Sequence, residues 1–328
     1  MIGTRTPFRI SFAGGGSDLK EFYSRHPGCV ISTTVNKYMY IYVHPFFDQK
    51  IQVKYSITEV VENINEIRHP IVREILTKFE IKGIDINSIA DIPAGTGLGS
   101  SCAFTVGLLH ALYAYRSRYP TKERLAREAC EIEIDLLKEP IGKQDSYAVA
   151  YGGLNCITFY PNERVNVEPI IMSQESYKQL EENLLLFYLG GPRPASDILS
   201  DQRKNILSNK HTFNNLVKMT ELAQELRKSL SNGHLRDTGL TLDENWKLKK
   251  TLSSKISAGK IDFYYEKAKK NGALGGKLLG AGRGGFLLFY CEKEHQDKLR
   301  KALADLREIK FRFDHCGTKI IYVSEFEE

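Results

Sequence analysis

The chain contains the glycine-rich stretch Pro93-Ala94-Gly95-Thr96-Gly97-Leu98-Gly99-Ser100-Ser101, directly before a long apolar segment, Cys102 to Tyr115. Glycines let the backbone turn sharply and approach a ligand closely, and the two serines suit the N-cap of a helix. Unpaired N–H groups at a helix start, together with the helix dipole, bind anions. The stretch therefore predicts a phosphate-binding loop, and a turn that only caps the helix is the alternative. No lysine follows the last glycine, so the loop differs from the Walker A pattern.

Composition and charge are those of an ordinary globular protein. The chain has 328 residues, enough for two domains, with 42% hydrophobic and 26% charged residues. The net charge of +6 is spread along the chain, which is too mild for nucleic acid but suits a phosphorylated substrate. The six cysteines form no CxxC pair and are expected to be reduced thiols. No apolar run approaches the roughly 20 residues that span a bilayer, so we expect a cytoplasmic protein without a membrane partner.

Two other glycine-rich segments accompany this loop. The first, Gly14-Gly15-Gly16-Ser17-Asp18, follows a predicted strand, and Ser17 or Asp18 suits the cap of the short helix after it. The last runs from Gly275 to Gly285 and leads into a predicted strand. A change in composition, with prolines and a polar run from Ser173 to Asn183, predicts a domain boundary near residue 180.

Two carboxylates are candidates for chemistry. Glu133 lies on the apolar face of a helix predicted from Thr121 to about Leu137. A buried carboxylate is costly unless it is paired or binds a metal, so a buried ion pair and a magnesium ligand are the two interpretations. Asp145 follows in a segment flanked by glycines, where working residues are common, although most such aspartates only form turns.

The three glycine segments, in this order, resemble the motifs of the GHMP family of small-molecule kinases. The motifs run from Thr6 to Asp18, from Pro93 to Ser101 and from Gly276 to Gly285, and they bracket nearly the whole chain. The resemblance implies an α+β, two-domain fold with the active site in the cleft between the domains. Residues 1–180 would form an α/β domain like domain 2 of ribosomal protein S5, and residues 181–328 a ferredoxin-like domain. It also implies ATP and Mg²⁺ as cofactors.

Within the family, the segment Arg9 to Asp18 and the segment Ile141 to Asp145 are most similar to those of the heptose 7-phosphate kinases. That similarity implies a phosphorylated seven-carbon sugar as the partner, phosphorylated at its anomeric C1 hydroxyl for nucleotide-activated heptose and surface polysaccharide. A fucokinase-like or other sugar-1-kinase is an alternative, and so is a catalytically silent sensor that binds nucleotide or sugar. The exact sugar, the nucleotide base and the choice between monomer and homodimer stay open.

The resemblance assigns roles to matching residues. Asp145 would accept or orient the substrate hydroxyl proton, with Arg9 beside it, and Ser101, in preference to Ser100, would hold magnesium with Glu133. The loop would bind the ATP phosphates through Pro93, Gly95, Thr96, Gly97, Leu98, Gly99, Ser100 and Ser101. The predicted substrate-binding set is Asp18, Gly15, Gly16, Ser17, Arg193, Gly282 and Arg283.

Some positions depart from the family pattern. Galactokinases carry an acidic residue and a histidine where this chain has Gly15 and Gly16, which makes room and disfavours galactose. Ser146 stands where glutamine is usual, and Arg283 stands where glycine is usual. Arg193 and Arg283 are candidates for contact with the substrate's own phosphate, and simple surface placement is the alternative for both.

Overall fold

The computed structural model describes residues 1–191, 196–257, 259–282 and 284–324. The strands are β1 Ile2–Ala13, β2 Gly28–Pro45, β3 Ile51–Lys54, β4 Thr58–Val61, β5 Ile84–Ala90, β6 Asn155–Phe159, β7 Val165–Pro169, β8 Leu184–Gly190, β9 Gly275–Leu278, β10 Gly285–Tyr290, β11 Arg307–Glu308, β12 Phe313–Asp314 and β13 Lys319–Val323. The helices are α1 Lys20–Tyr23, α2 Pro70–Phe79, α3 Ser100–Tyr115, α4 Lys122–Cys130, α5 Gln144–Tyr151, α6 Gln174–Glu182, α7 Ser196–Ser208, α8 Lys210–Ser231, α9 Arg236–Lys250, α10 Gly259–Lys270 and α11 Gln296–Ala302.

The larger of the two sheets is organised around the long strand β2. Its main path runs β13-β1-β2-β5-β3-β4, and β6 and β12 also pair with β2, while β7 pairs with β6. The pairing is antiparallel except between β3 and β5. In β2, buried Met39, Ile41 and Val43 alternate with the more exposed Tyr38, Tyr40 and Tyr42, as the strand period requires.

Strand β1 is covered on both faces, which explains its nearly continuous burial. Helices α3 and α5 contact it, and so do α8 and α9 from the second half of the chain. Helix α3 lies close to the sheet because Gly107 has no side chain: a Cβ there would stand 2.9 Å from the Thr6 hydroxyl oxygen. The Thr4 hydroxyl donates to the Gly107 carbonyl at 3.0 Å, so this close contact is also hydrogen-bonded.

The smaller sheet has the order β11-β8-β10-β9 and is antiparallel throughout. Its apolar core includes Trp246 of α9 with Phe187 and Phe289 of β8 and β10. Leu19 and Phe22, at the start of the chain, pack into the same core. The first glycine segment is thereby held between the two sheets.

The end of the chain departs from the predicted division at residue 180. Strand β13 pairs with β1, and β12 pairs with β2, so the last strands belong to the larger sheet rather than to a separate C-terminal unit. Among the described residues, none of the helices combines the length and the apolar character needed to cross a lipid bilayer.

Two local predictions need correction. The helix predicted from Thr121 to about Leu137 is α4 followed by a π-helical turn, Glu131–Leu136. Asp145 does not lie in a loop: it is the second residue of α5, in the first turn. The predicted start of this helix at Thr121 is confirmed, since the Thr121 hydroxyl caps the helix by accepting from the Arg124 backbone N–H at 3.1 Å.

Candidate active site

A cleft of about 460 Å³ lies between the two sheets, and all three glycine segments reach it. Its walls include most of the residues that the sequence singled out. The predicted residues on its walls are Arg9, Gly15, Gly16, Asp18, Gly95, Gly97, Gly99, Ser100, Ser101, Glu133, Asp145 and Gly282. Pro93, Thr96, Leu98 and Ser17 are not among the lining residues.

The strongest polar contact in the cleft joins Arg9 to Asp145. The Arg9 guanidinium donates from Nε and Nη2 to the two carboxylate oxygens of Asp145, at 2.7 Å each. Its Nη1 donates to the Gly97 carbonyl at 2.6 Å, and the Arg9 backbone N–H donates to the Leu98 carbonyl at 3.0 Å. Arg9 is only 4% exposed, whereas the Asp145 side chain is 22% exposed. A two-point contact of this kind fixes the orientation of the carboxylate and ties it to the loop.

The loop before α3 has the conformation that its glycines allow. Gly95, Gly97 and Gly99 have φ of +73°, +87° and +77°, in the left-handed region that other residues avoid. Gly99 occupies the N-cap position without any side-chain cap, so the serines are the first helical residues and the prediction that they cap the helix is wrong. The first helical residues, Ser100, Ser101 and Cys102, line the cleft, so an anion bound there could accept from the free N–H groups of this helix start.

Thr96 and Leu98 shape the loop from inside the fold. The Thr96 hydroxyl donates to the Pro93 carbonyl at 2.9 Å, and Leu98 is buried in the larger core. Their contribution to a bound nucleotide would be through the backbone conformation they stabilise.

Glu133 and Ser101 form a second polar pair, at the base of the loop. The Ser101 hydroxyl donates to Glu133 Oε2 at 2.6 Å, and Glu133 is 1% exposed. The other carboxylate oxygen, Oε1, is buried and has no hydrogen-bond partner among the described residues. Burial raises the pKa of Glu133, because the ionised form loses its hydration. An orphaned carboxylate oxygen beside a hydroxyl oxygen suits a hard divalent cation, so these residues fit Mg²⁺.

Asp18 is anchored by the chain around Asp145 and not by its own helix. Helix α1 begins after Leu19 without a side-chain cap, so the predicted capping role is wrong. Instead, the Asp18 carboxylate accepts from the Gly16 N–H at 2.9 Å and from the Gln144 backbone N–H and side-chain amide at 3.1 Å each. Burial raises the pKa of Asp18. A Cβ at Gly142 would stand 1.9 Å from Asp18 Oδ2, so this contact requires glycine there.

The remaining predicted substrate residues differ in their placement. Gly15 lines the cleft, and a Cβ there would make only ordinary contacts of 3.6 Å or more. Ser17 is fully buried, and its hydroxyl bonds to the Cys29 backbone rather than facing the cleft. Arg193 and Arg283 lie outside the described residues.

The cleft residues that the sequence reasoning missed include two lysines, Lys249 of α9 and Lys277 of β9. Both are buried, at 7% and 5% exposure. A signal existed for each of them. Lys277 interrupts an apolar and glycine motif, and Lys249 continues the face of α9 that carries Leu242 and Trp246.

Comparisons with known proteins define the class to which this fold and cleft belong. The family profile described as GHMP kinases N terminal domain matches residues 60–153, and that described as GHMP kinases C terminal matches residues 222–308. The chain belongs to the GHMP kinase family, and its predicted two-domain α+β fold is confirmed. Members of the family use ATP as phosphate donor, and the chain is a phosphotransferase with an alcohol group as acceptor.

Particular relatives cover nearly the whole chain. A D-glycero-alpha-D-manno-heptose 7-phosphate kinase from Campylobacter jejuni is 29% identical over 315 residues, covering 92% of this chain and 93% of the relative. A bifunctional fucokinase/GDP-fucose pyrophosphorylase from Arabidopsis thaliana is 26% identical over 335 residues, covering 92% of this chain and 31% of the relative. The crystal structure of a D-glycero-D-manno-heptose 1-phosphate kinase from Bacteroides thetaiotaomicron has the same fold. Its TM-score is 0.81 at 24% identity, and the match covers 99% of this chain and 100% of that chain.

Proposed function

We propose that this protein is a Mg²⁺-dependent kinase that transfers the γ-phosphoryl group of ATP to the anomeric C1 hydroxyl of D-glycero-D-manno-heptose 7-phosphate. The product would be the 1,7-bisphosphate, a precursor of nucleotide-activated heptose for surface polysaccharide. The observation that carries the kinase assignment is the two-point contact of Arg9 with Asp145 at the cleft wall. The choice of acceptor is supported by the relative from Campylobacter jejuni, which matches over nearly the full length of both chains.

Asp145 is the residue in the cleft best placed to handle the acceptor hydroxyl. Its carboxylate is fixed by Arg9 and lies close to the phosphate loop, since a Cβ built on Gly99 would stand 3.4 Å from Asp145 Oδ2. A carboxylate so placed orients the hydroxyl for attack and accepts its proton as the new P–O bond forms. Because phosphoryl transfer has a loose transition state, the proton leaves late and orientation carries much of the effect.

The nucleotide phosphates would be held by backbone groups and by a metal ion. The N–H groups at the start of α3 would donate to the phosphate oxygens. Ser101 and Glu133 would hold Mg²⁺, which supplies positive charge to the β- and γ-phosphates. Arg9 remains beside the loop through its bond to the Gly97 carbonyl, and it contributes a further positive charge.

The acceptor sugar would lie against the first glycine segment. Asp18 lines the cleft there and is held by three hydrogen bonds, so it offers a fixed acceptor to sugar hydroxyls. Gly15 leaves space for the longer carbon chain of a heptose, because its position carries no side chain.

A panel of acceptors tests this proposal through release of ADP. The panel contains D-glycero-D-manno-heptose 7-phosphate, the same heptose without phosphate, L-fucose and galactose. We expect the highest kcat/KM with the heptose 7-phosphate. The product should show two phosphorus resonances, one of which comes from the phosphate on the anomeric carbon. The fucokinase relative makes L-fucose the second candidate, and preferential turnover of L-fucose would replace the first. Absence of ADP release with every sugar would favour the silent sensor.

A further inference from the structure

Two buried lysines on the cleft wall have no part in the transfer step described above. Lys249 lies near the end of α9, and Lys277 lies on β9, so both project from the half of the chain that follows residue 181. The hydrogen bonds described for both ammonium groups go to neutral oxygens and not to carboxylates. We propose, on the basis of the kinase function above, that Lys249 and Lys277 bind a phosphate group carried by the acceptor, beside Gly15.

Hydrogen bonding leaves both ammonium groups incompletely satisfied. Lys249 Nζ donates to the Gly15 carbonyl and to the Gln202 side-chain oxygen, both at 3.3 Å. Lys277 Nζ donates to the Ser11 hydroxyl and to the Phe12 carbonyl, also at 3.3 Å. These contacts are long and involve only neutral partners, and an ammonium group has three donors. Each lysine therefore keeps one donor free for a ligand in the cleft.

The two lysines converge on the same small region of the first glycine segment. Lys249 reaches the carbonyl of Gly15, and Lys277 reaches Ser11, whose hydroxyl oxygen would stand 3.8 Å from a Cβ on Gly15. Gly15 has room for such a Cβ, so the space beside it is open to a ligand. A phosphate bound there would lie near both ammonium groups.

The charges around this space favour an anion. Asp18 faces Lys249 and stabilises its charged form, whereas Arg9 disfavours the charged form of both lysines, and Lys249 disfavours that of Lys277. Arg9 is itself paired with Asp145. Burial lowers the pKa of Lys249 to about 8 and, with the neighbouring cations, that of Lys277 to about 7. Arg9, Lys249 and Lys277 have two carboxylates beside them, Asp145 and Asp18, so a phosphate dianion would supply negative charge that favours the charged forms of both lysines.

The lysines also connect α9 and β9 to the end of β1 and the glycine segment after it through these hydrogen bonds. A purely structural role is therefore the competing explanation. Loss of a purely structural residue would affect all ligands of the cleft alike, because it would change the position of the sheets. A phosphate-binding residue affects only the acceptor that carries the phosphate. The two roles therefore differ in how a substitution divides its effect among substrates.

The experiment compares Lys249→Met and Lys277→Met with the wild type in the full-length enzyme. We expect the KM for heptose 7-phosphate to rise by about 10- to 100-fold for each variant, as for the loss of one charge-assisted hydrogen bond. The KM for ATP and the kcat/KM for the unphosphorylated heptose should change by less than about threefold. Lys250→Met is the matched control, because the next residue of α9 contacts Asp262 at 3.2 Å and does not line the cleft. Equal losses of kcat/KM for the phosphorylated and unphosphorylated heptose would overturn the proposal and support the purely structural role.

A second variant serves if either methionine variant fails to fold. Gly15→Asp places a carboxylate beside the lysines at a position that accepts a Cβ without a clash. This internal anion should weaken binding of the phosphorylated sugar much more than binding of the unphosphorylated sugar, because both sugars lose the space at Gly15 but only the phosphate is repelled. Unchanged affinity for the phosphorylated sugar would contradict the proposed location.

Direct binding separates this inference from the assignment of the acceptor. Calorimetry at pH 8 uses heptose 7-phosphate, glucose 6-phosphate and inorganic phosphate as probes, with a non-hydrolysable ATP analogue filling the nucleotide loop. Burial holds the pKa of both lysines below the usual lysine value in the free enzyme, and a bound dianion raises both pKa values. Binding should therefore take up protons from the buffer, and the uptake should shrink in each methionine variant.

If the wild type binds sugar phosphates through these lysines but does not phosphorylate heptose 7-phosphate, the inference stands and the proposed acceptor is wrong. If it phosphorylates heptose 7-phosphate and both methionine variants keep the wild-type KM, the proposed function stands and the inference is wrong. Failure of the wild type to bind any of the three probes would also overturn the inference.

Discussion

At the scale of single residues, Asp145 is held by Arg9 in an orientation suited to an acceptor hydroxyl. Asparagine at this position keeps the size of the side chain but cannot accept a proton in the same way. We expect Asp145→Asn to bind nucleotide and sugar within a few-fold of the wild type while turnover falls by roughly 10²–10⁴. Turnover and equilibrium binding, measured on the same preparations, test this expectation. The control is Asp48→Asn, an exposed aspartate, and near-normal turnover of Asp145→Asn would remove the catalytic assignment.

The orphaned oxygen of Glu133 leads to a prediction about magnesium. Glutamine at position 133 replaces one carboxylate oxygen by an amide nitrogen, which is not a ligand for Mg²⁺. We expect Glu133→Gln to need about 10-fold more Mg²⁺ or greater for half-maximal activity, since metal sites lose affinity on this scale when a ligand is disturbed. A Mg²⁺ titration of activity and of ATP binding measures this change. Glu131→Gln, on the same helical turn but exposed, is the matched control. An unchanged Mg²⁺ requirement would mean that Glu133 is not a metal ligand and only accepts a hydrogen bond from Ser101.

The sequence identified site residues that belong to a recognisable motif. It failed for residues whose role depends on a hydrogen-bond partner or neighbour far away in the sequence. Arg9 and Asp145 were each identified from sequence motifs, although 136 positions separate them. Asp18 was interpreted either as a helix cap, because aspartate commonly caps helices, or as a substrate-binding residue, but its observed partner Gln144 lies 126 positions away. Lys249 and Lys277 were missed as cleft residues because lysine is rarely buried, so the sequence alone predicts an exposed side chain at both positions.

At the scale of elements, the second and third glycine loops lie against each other. A Cβ on Gly97 would stand 2.4 Å from the Leu279 carbonyl oxygen, and one on Gly280 would stand 2.6 Å from the Gly97 Cα. We expect Gly97→Ala to weaken ATP binding by at least tenfold and to lower the melting temperature, because the two loops must separate. The measurements are thermal unfolding and ATP affinity.

The control for Gly97→Ala is Gly190→Ala. Gly190 has a similar φ of +92°, but a Cβ there meets nothing within 4 Å among the described residues. It therefore isolates the cost of a left-handed alanine, roughly 1–2 kcal/mol, from the clash between the loops. Equal effects of the two substitutions would show that the contact between the loops contributes nothing.

Helix α4 shows how far periodicity predicts an element. The apolar face predicted for this helix is confirmed, since Ala126, Ala129, Cys130 and Glu133 are all buried. The π-helical turn after Cys130 was not predictable, because it depends on how this segment meets the rest of the fold and not on local preference. Such turns are frequent at functional sites, and this one carries Glu133.

At the scale of the whole molecule, the composition change near residue 180 marks the transition to the smaller sheet, but the chain later returns to the larger one. Ile2 pairs with Val323, and Thr34 donates from its hydroxyl to the Asp314 carbonyl at 2.7 Å. Pairing between strands more than 250 positions apart leaves no local trace in a sequence. The two-domain fold could be predicted from the motifs, whereas this return could not.

The return of the chain predicts that residues 1–180 are not a self-sufficient folding unit. A chain ending at residue 312 loses β12 and β13, including Phe313, which is 6% exposed and packs edge-on against Phe12 with ring centroids 6.5 Å apart. Loss of a buried phenylalanine ring alone costs about 3–5 kcal/mol. We therefore expect the larger sheet to be destabilised by at least that amount in urea unfolding.

Hydrogen exchange of the backbone amides would show which strands lose stability in the shortened chain. The amides of β1 and β2 should exchange faster in the shortened chain because β13 and β12 no longer cover them, whereas those of β8 and β10 should keep more of their protection. A chain ending at residue 324 keeps every described strand and is the matched control. Wild-type stability and unchanged exchange in the chain ending at 312 would mean that the N-terminal unit folds without its last strands, in agreement with the division at residue 180. The opposite result would make the two ends of the chain a single structural unit, so that a mutation in β13 weakens the strand that carries Arg9.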